Sequence, residues 1–223
     1  MGSLAVRRYP FAAPPVGPQS GIGSPSYRIP APERPWPGER YVLAGVPGTA
    51  LIVVDMLNPY EHEDAQSLAA SVQSRLECIV TLRERARRRD DVLVVYVNDN
   101  YDAWDAGREE LVERALRGRR RDLVEPIAPT EPVAFLPKGR HSIFYETALD
   151  HLLSINDVQR VVLIGQVTEQ CVLYSALDAY LRGYAVLVPP DAVAHIHEDL
   201  AQAALRMMEL NMHVELAPAD AVF

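Results

Sequence analysis

The sequence predicts an α/β fold, a three-layer α/β/α doubly wound (Rossmann-like) domain around a six-stranded parallel sheet, and two observations predict it. From residue 50 onward, six short runs rich in β-branched residues recur with helix-length segments between them: ALIVV (50–54), VLVVYV (92–97), VAFL (133–136), VVLI (161–164), AVLV (185–188) and HVEL (213–216). The runs are also continuously apolar rather than alternating, as a strand must be when helices cover both faces of its sheet. Strand and helix patterns in alternation imply parallel crossover connections.

Ahead of the first run, ten of the 18 prolines and six of the 12 glycines fall within residues 1–47. That composition cannot sustain a regular element, so residues 1–40 read as an extended arm, disordered or draped on a partner, with the α/β domain over 41–223. The arm carries a net +3, from five arginines against Glu33 and Glu39, in a chain whose formal charge is −8. Between the first two runs, residues 64–89 place Leu68, Val72, Leu76, Ile79 and Leu82 at spacings of three and four, one apolar helical face. Its arginine-rich end, 83–89, suits a helix C-terminus, and Glu84, Asp90 and Asp91 dilute it, which argues against a nucleic-acid patch. Residues 168–182 and 198–211 are the other clear helices, the first closed by Gly183.

The totals exclude several classes. A net charge of −8 disfavours nucleic acid or an anionic membrane as the main partner. Two cysteines, Cys78 and Cys171, make no disulfide framework, so the cytoplasm is the expected location. No apolar run approaches the roughly 18–20 residues of a membrane span. Pro10, Pro14 and Pro15 interrupt what would be a signal-peptide core, and Val6 breaks the myristoylation pattern.

In open parallel sheets the ligand site lies beyond the carboxyl ends of the strands. Asp55 follows ALIVV, Pro137 and Lys138 follow VAFL, and the turn GQVT followed by Cys171 comes after VVLI. A carboxylate, an ammonium and a thiol thus emerge at one sheet edge. Thr168 is a good N-cap residue, which puts Cys171 in the first helical turn, where the dipole and a nearby Lys138 favour a thiolate. Asp55 is placed to accept the thiol proton. Taken singly, each has an ordinary reading: Cys171 as core filler, Asp55 as a turn residue, Lys138 as surface. Their convergence at three strand ends is what favours chemistry.

The stretches ALIVVDMLNPY, FLPKGRHSIFYETALDHLL and VVLIGQVTEQCVLYSALDAYLRGYAVLVPPDAVA resemble the isochorismatase-like cysteine hydrolase superfamily, which includes nicotinamidases and N-carbamoylsarcosine amidases. The third is the most specific, with the Gly-x-x-Thr-x-x-Cys turn between strand and helix. The resemblance implies that Asp55, Lys138 and Cys171 form a catalytic triad, that the Gln166–Val167 peptide is cis, and that the backbone amides of Val167 and Cys171 form an oxyanion hole. It implies cleavage of a C–N bond (amide, carbamoyl, imide or lactam) in a small molecule: Cys171 attacks as Asp55 takes its proton, an amine leaves, and water activated by Asp55 hydrolyses the thioester. Relatives of this kind are homodimers or homotetramers.

The chain also departs from the pattern. Nicotinamidases carry a metal motif of Asp and His after the second strand, whereas VNDNYDAW (97–104) has no histidine. Asn98, Asp99 and Asn100 are either oxygen ligands for a hard cation or turn formers; the expectation is no metal and no cofactor. Relatives that cleave the vinyl ether of isochorismate typically lack the cysteine, so Cys171 favours an amide-type substrate over an ether. A thiol redox sensor is a further alternative, weakened by the lack of a Cys-x-x-Cys partner. Asn98, His141 and Tyr174 are the candidate pocket residues, and His195 and His197 read as a helix start.

Overall fold

The computed structural model describes residues 48–223 apart from Glu131. The arm assigned to 1–40 lies outside the described residues. In chain order the elements are β1 (Thr49–Val54), α1 (Ala65–Arg87), β2 (Val92–Asp99), α2 (Arg108–Arg117), α3 (Arg121–Val124), β3 (Ala134–Lys138), α4 (Leu149–Ile155), β4 (Arg160–Gln166), a π turn (Thr168–Val172), α5 (Leu173–Leu181), β5 (Ala185–Val188), β6 (Val193–Ala194), α6 (Glu198–Met212) and β7 (Glu215–Leu216).

All strand pairs are parallel, in the order β3-β2-β1-β4-β5-β7, with β6 pairing the far end of β4. The predicted fold class holds, with seven strands where six were expected. The alternation of side chains along each strand explains the unbroken apolar runs. Leu51 and Val53 of β1, with Val162 and Ile164 of β4, pack on α1 residues such as Leu68, Val72, Ile79 and Leu82. Ala50, Ile52 and Val54, with Val161 and Leu163, join the opposite core with Leu153 of α4, Ala176 of α5 and Met208 of α6. Every position of β1 after Thr49 is therefore buried.

Several boundaries differ from the sequence reading, β2 running on to Asp99 and β4 spanning Arg160–Gln166 among them. β3 runs through Pro137 to Lys138, so the lysine ends the strand rather than following it. Proline is tolerated there because β3 is an edge strand. The run HVEL contributes only Glu215 and Leu216 to a strand, because His213 ends α6 in the left-handed region at φ +55°. β6 was not expected; its two residues pair Gly165 with Val193 and Gln166 with Ala194.

What this topology positions is the carboxyl edge between β1 and β4. From β1 the chain builds outward to β2 and β3, then returns to β4 on the other side of β1. The crevice of a doubly wound sheet opens at such a reversal.

Candidate active site

The β1 end delivers Asp55. Its N–H donates to Val97 O at 3.0 Å, continuing the sheet one residue past β1, and its φ of +54° turns the chain sharply. Aspartate is one of the few non-glycine residues that accept the left-handed region readily. Two strands away, Lys138 ends β3 opposite Asp99 of β2. Neighbouring strands lie about 4.8 Å apart, so only a long side chain can bridge β2 to reach Asp55. Lys138 does so: its Nζ lies 2.9 Å from Asp55 Oδ2, 3.6 Å from Asp99 Oδ2 and 3.6 Å from Cys171 Sγ. The three residues expected to converge are together.

The turn after β4 presents the thiol. Gly165 has φ +117°, and a Cβ there would stand 2.2 Å from Val54 O, so both conformation and space require glycine. The peptide between Gln166 and Val167 is cis. Gln166 is buried, its Nε2 donating to Asp55 O and its Oε1 accepting from Tyr60 Oη. Gln170 N and Val172 N both donate to Val167 O at 3.1 Å, the second being the i→i−5 bond of a π turn. Cys171 sits inside that turn, 7% exposed.

Two expectations for this turn are corrected. Thr168 does not cap the helix; its hydroxyl donates to Ala194 O at 2.9 Å and ties the turn to β6. Nor does the setting lower the thiol. Burial pushes the Cys171 thiol up, the Asp55 charge pushes the same way, and Lys138 only partly opposes them. Burial also raises the Asp55 carboxyl, against the pull of Lys138. For Lys138, burial alone would lower the ammonium, but Asp55 and Cys171 outweigh it and the group is raised. Both acidic groups are thus held above their usual values, with the Lys138 ammonium set between them.

The remaining predicted residues divide. His141 is exposed, its Nδ1 3.7 Å from Cys171 Sγ, and its ring meets Tyr174 at 5.4 Å between centroids. Asn98 is instead a brace: 2% exposed, it accepts from Leu57 N at 2.8 Å and donates to Leu57 O and Asp99 O. The Asn98–Asp99–Asn100 run does not suit a cation. Asp99 Oδ1 accepts from Tyr101 N while Oδ2 faces the Lys138 ammonium, and Asn100 Oδ1 accepts from Asp102 N in a turn. Among the described residues no group of three or more His, Cys, Asp or Glu could hold a metal ion.

Asp99 has the role that the sequence reading missed: its N–H donates to Asp55 Oδ1 at 2.7 Å, and its carboxylate faces Lys138. Its position at the end of β2 was the available signal, masked by its fit to a turn. Glu169 was also passed over; its Oε1 accepts from Ile196 N and His197 N, holding the segment before α6 against the π turn. His197 accordingly stands at the start of α6. Four of the five arginines of 83–89 are engaged within the domain: Arg83 with Tyr96 Oη and Pro126 O, Arg85 with Ala219 O, Arg87 with Glu84, and Arg89 with Asp91. No helix among the described residues is long and apolar enough to cross a membrane.

A parallel α/β domain with a buried thiol, ammonium and carboxylate at its strand reversal belongs to the class of small-molecule α/β enzymes. Comparison with known proteins then narrows the class. A family profile described as "Isochorismatase domain" matches residues 49–220, and the chain belongs to the isochorismatase family. It is 34% identical over 173 residues to the uncharacterized isochorismatase family protein YaaI of Bacillus subtilis, covering 78% of this chain and 95% of that one. It is 28% identical over 220 residues to the ureidoacrylate amidohydrolase RutB of Methylorubrum extorquens, covering 85% and 87%. The solved structure of N-carbamoylsarcosine amidase from Thermoplasma acidophilum superposes with a TM-score of 0.61 at 27% identity, covering 78% of this chain and 98% of that one. The protein is a hydrolase of this family, with amidohydrolases among its relatives.

Proposed function

We propose that the protein is a cysteine amidohydrolase that cleaves a C–N bond (amide, carbamoyl, imide or lactam) of a small molecule through a thioester on Cys171. The observation that carries this reading is the position of Lys138 Nζ, buried between Asp55 and Cys171 at 2.9 and 3.6 Å. One ammonium there favours the ionised carboxylate against its burial and receives the negative charge as the sulfur loses its proton. Cys171 attacks the carbonyl carbon while Asp55 takes the thiol proton. The oxyanion is held by the Val167 and Cys171 amides, and Asp55 returns the proton to the departing amine. Water then releases the acid. Relatives named for ureidoacrylate and N-carbamoylsarcosine support an acid bearing a carbamoyl nitrogen as the substrate class.

The free cysteines Cys78 and Cys171 fit a reducing cytoplasm. Exposed Leu177 and Leu181 on α5, with Leu200 and Leu210 on α6, suit the contact surface of a homodimer or homotetramer.

The test is ammonia or amine release across carboxamides, ureido acids, carbamoyl amino acids and lactams, with Cys171→Ala as control. At least one compound is expected to turn over with the wild type, to fail with Cys171→Ala, and to leave an acyl mass on Cys171 when the reaction is quenched early. Turnover by Cys171→Ala near the wild-type rate would overturn the proposal.

A further inference from the structure

The Cys171 sulfur has two unlike flanks. On the interior side stand Lys138, 1% exposed, and Asp55, 7% exposed. On the other stands His141, exposed, with Nδ1 3.7 Å from Sγ. The imidazole is held there from two directions. The residues after it are tied to α5, Ser142 Oγ donating to Asp178 and Ile143 N donating to Ser175 Oγ at 3.1 Å. Its ring also rests against Tyr174, one turn along from Cys171, at an interplanar angle of 52°.

The two halves of a thioester mechanism ask different things of a base. Acylation needs an acceptor for the thiol proton, and the interior carboxylate serves. Hydrolysis needs an acceptor for a proton of water, which arrives from solvent on the face of the acyl group away from the interior. Asp55 is poorly disposed for that second task. Its Oδ2 is paired with Lys138 and its Oδ1 accepts from Asp99 N at 2.7 Å, so both oxygens are engaged, whereas the exposed imidazole of His141 meets solvent directly. An imidazole is the side chain best suited to take and return a proton near neutral pH.

We propose that His141 is a catalytic residue of the second half-reaction, the base that activates water against the Cys171 thioester; the inference rests on the thioester reading above. The neutral imidazole takes a proton from water as the water oxygen bonds to the thioester carbonyl carbon. The tetrahedral intermediate then collapses, the carbon–sulfur bond breaks, and the sulfur leaves with the bonding pair. The imidazolium returns its proton to that sulfur, which regenerates the thiol and the neutral ring. Thioester and water become acid and thiol, with no other reactant. The site thus divides its proton transfers between an interior carboxylate and a solvent-side imidazole.

The experiment uses p-nitrophenyl acetate as the acyl donor, so it does not depend on the natural substrate. His141→Gln and His141→Ala are compared with wild type by stopped-flow release of nitrophenolate, with intact-protein mass measured during turnover. The expected result is a burst of about one equivalent at an undiminished rate. A steady state slowed about 10²-fold should follow, with an acetyl group accumulating on Cys171. Added imidazole should speed the steady state of His141→Ala without changing its burst. Steady-state turnover by both variants at the wild-type rate, or an equal slowing of burst and steady state with no accumulated acetyl group, would overturn the assignment. Cys171→Ala separates the two levels of the argument. Wild-type turnover by that variant would remove the thioester reading itself, whereas an inactive Cys171→Ala beside normal His141 variants would remove only the role of His141.

Discussion

The two cysteines make an instructive pair. Cys78 lies on α1, half-buried, and Cys171 lies in the π turn, buried. Burial pushes both thiols up. What separates them is their company. The charges that raise Cys78 are Asp191, Glu77 and Asp220, all acidic. Cys171 has an ammonium at 3.6 Å and an imidazole at 3.7 Å. Neither a helix nor a lowered pKa makes the difference; the second thiol has a cation beside it, and that cation is itself paired with a carboxylate.

That contrast can be broken most forcefully at the sulfurs. Cys171→Ala should lower hydrolysis by at least about 10³-fold, whereas Cys78→Ser should leave kcat/KM near wild type, measured on any substrate found in the panel. Equal losses would erase the distinction. Next, Lys138→Met removes the cation and leaves Asp55 and Asp99 facing each other in a buried site. It should abolish turnover and destabilise the fold by about 3–5 kcal/mol in urea titrations. Adding Asp55→Asn should recover part of that stability without recovering activity, a coupling that no pair of changes around Cys78 should show.

A steric change sharpens the comparison further. Gly165→Ala forces a Cβ against Val54 O at a positive φ, so it should destabilise by about 3 kcal/mol and reduce turnover while alkylation of Cys78 is unchanged. The gentlest probe is pH. Asp55 must be ionised to accept a proton, and its carboxyl is raised by burial, so kcat/KM should fall as pH drops through a value above the ordinary aspartate pKa of about 3.9. Both thiols are raised, so iodoacetamide labelling of either cysteine should remain slow at neutral pH and increase only under alkaline conditions.

How much of this was legible depended on whether the determining contact was local. Five of the six apolar runs became strands over most of their length, because burial on both sheet faces leaves a mark that needs no partner to be read. Asp55, Lys138 and Cys171 were legible for a related reason, since the carboxyl-edge rule converts strand ends directly into spatial neighbours. Thr168 failed because its competing acceptor, Ala194 O, lies on β6, a two-residue strand too short to announce itself beside Pro189 and Pro190. Asn98 failed in the same way: its partner is the backbone of Leu57, 41 residues earlier, and nothing in the run VNDN indicates it. The closeness of His141 to the sulfur was equally hidden, since it depends on Ser142 and Ile143 being tied to side chains of α5.

The position of Lys138 ties chemistry to the weakest part of the sheet. Among the described residues β3 pairs only with β2, and it has a proline in its ladder, so local opening is expected there well before β1 and β4 exchange their amides. Each such opening withdraws the one ammonium that holds Asp55 and faces Cys171. Loss of activity on warming should therefore track deuterium uptake by β3 and precede the cooperative melting of the domain. Stiffening that edge would lengthen the working life of the enzyme without altering any group that touches its substrate.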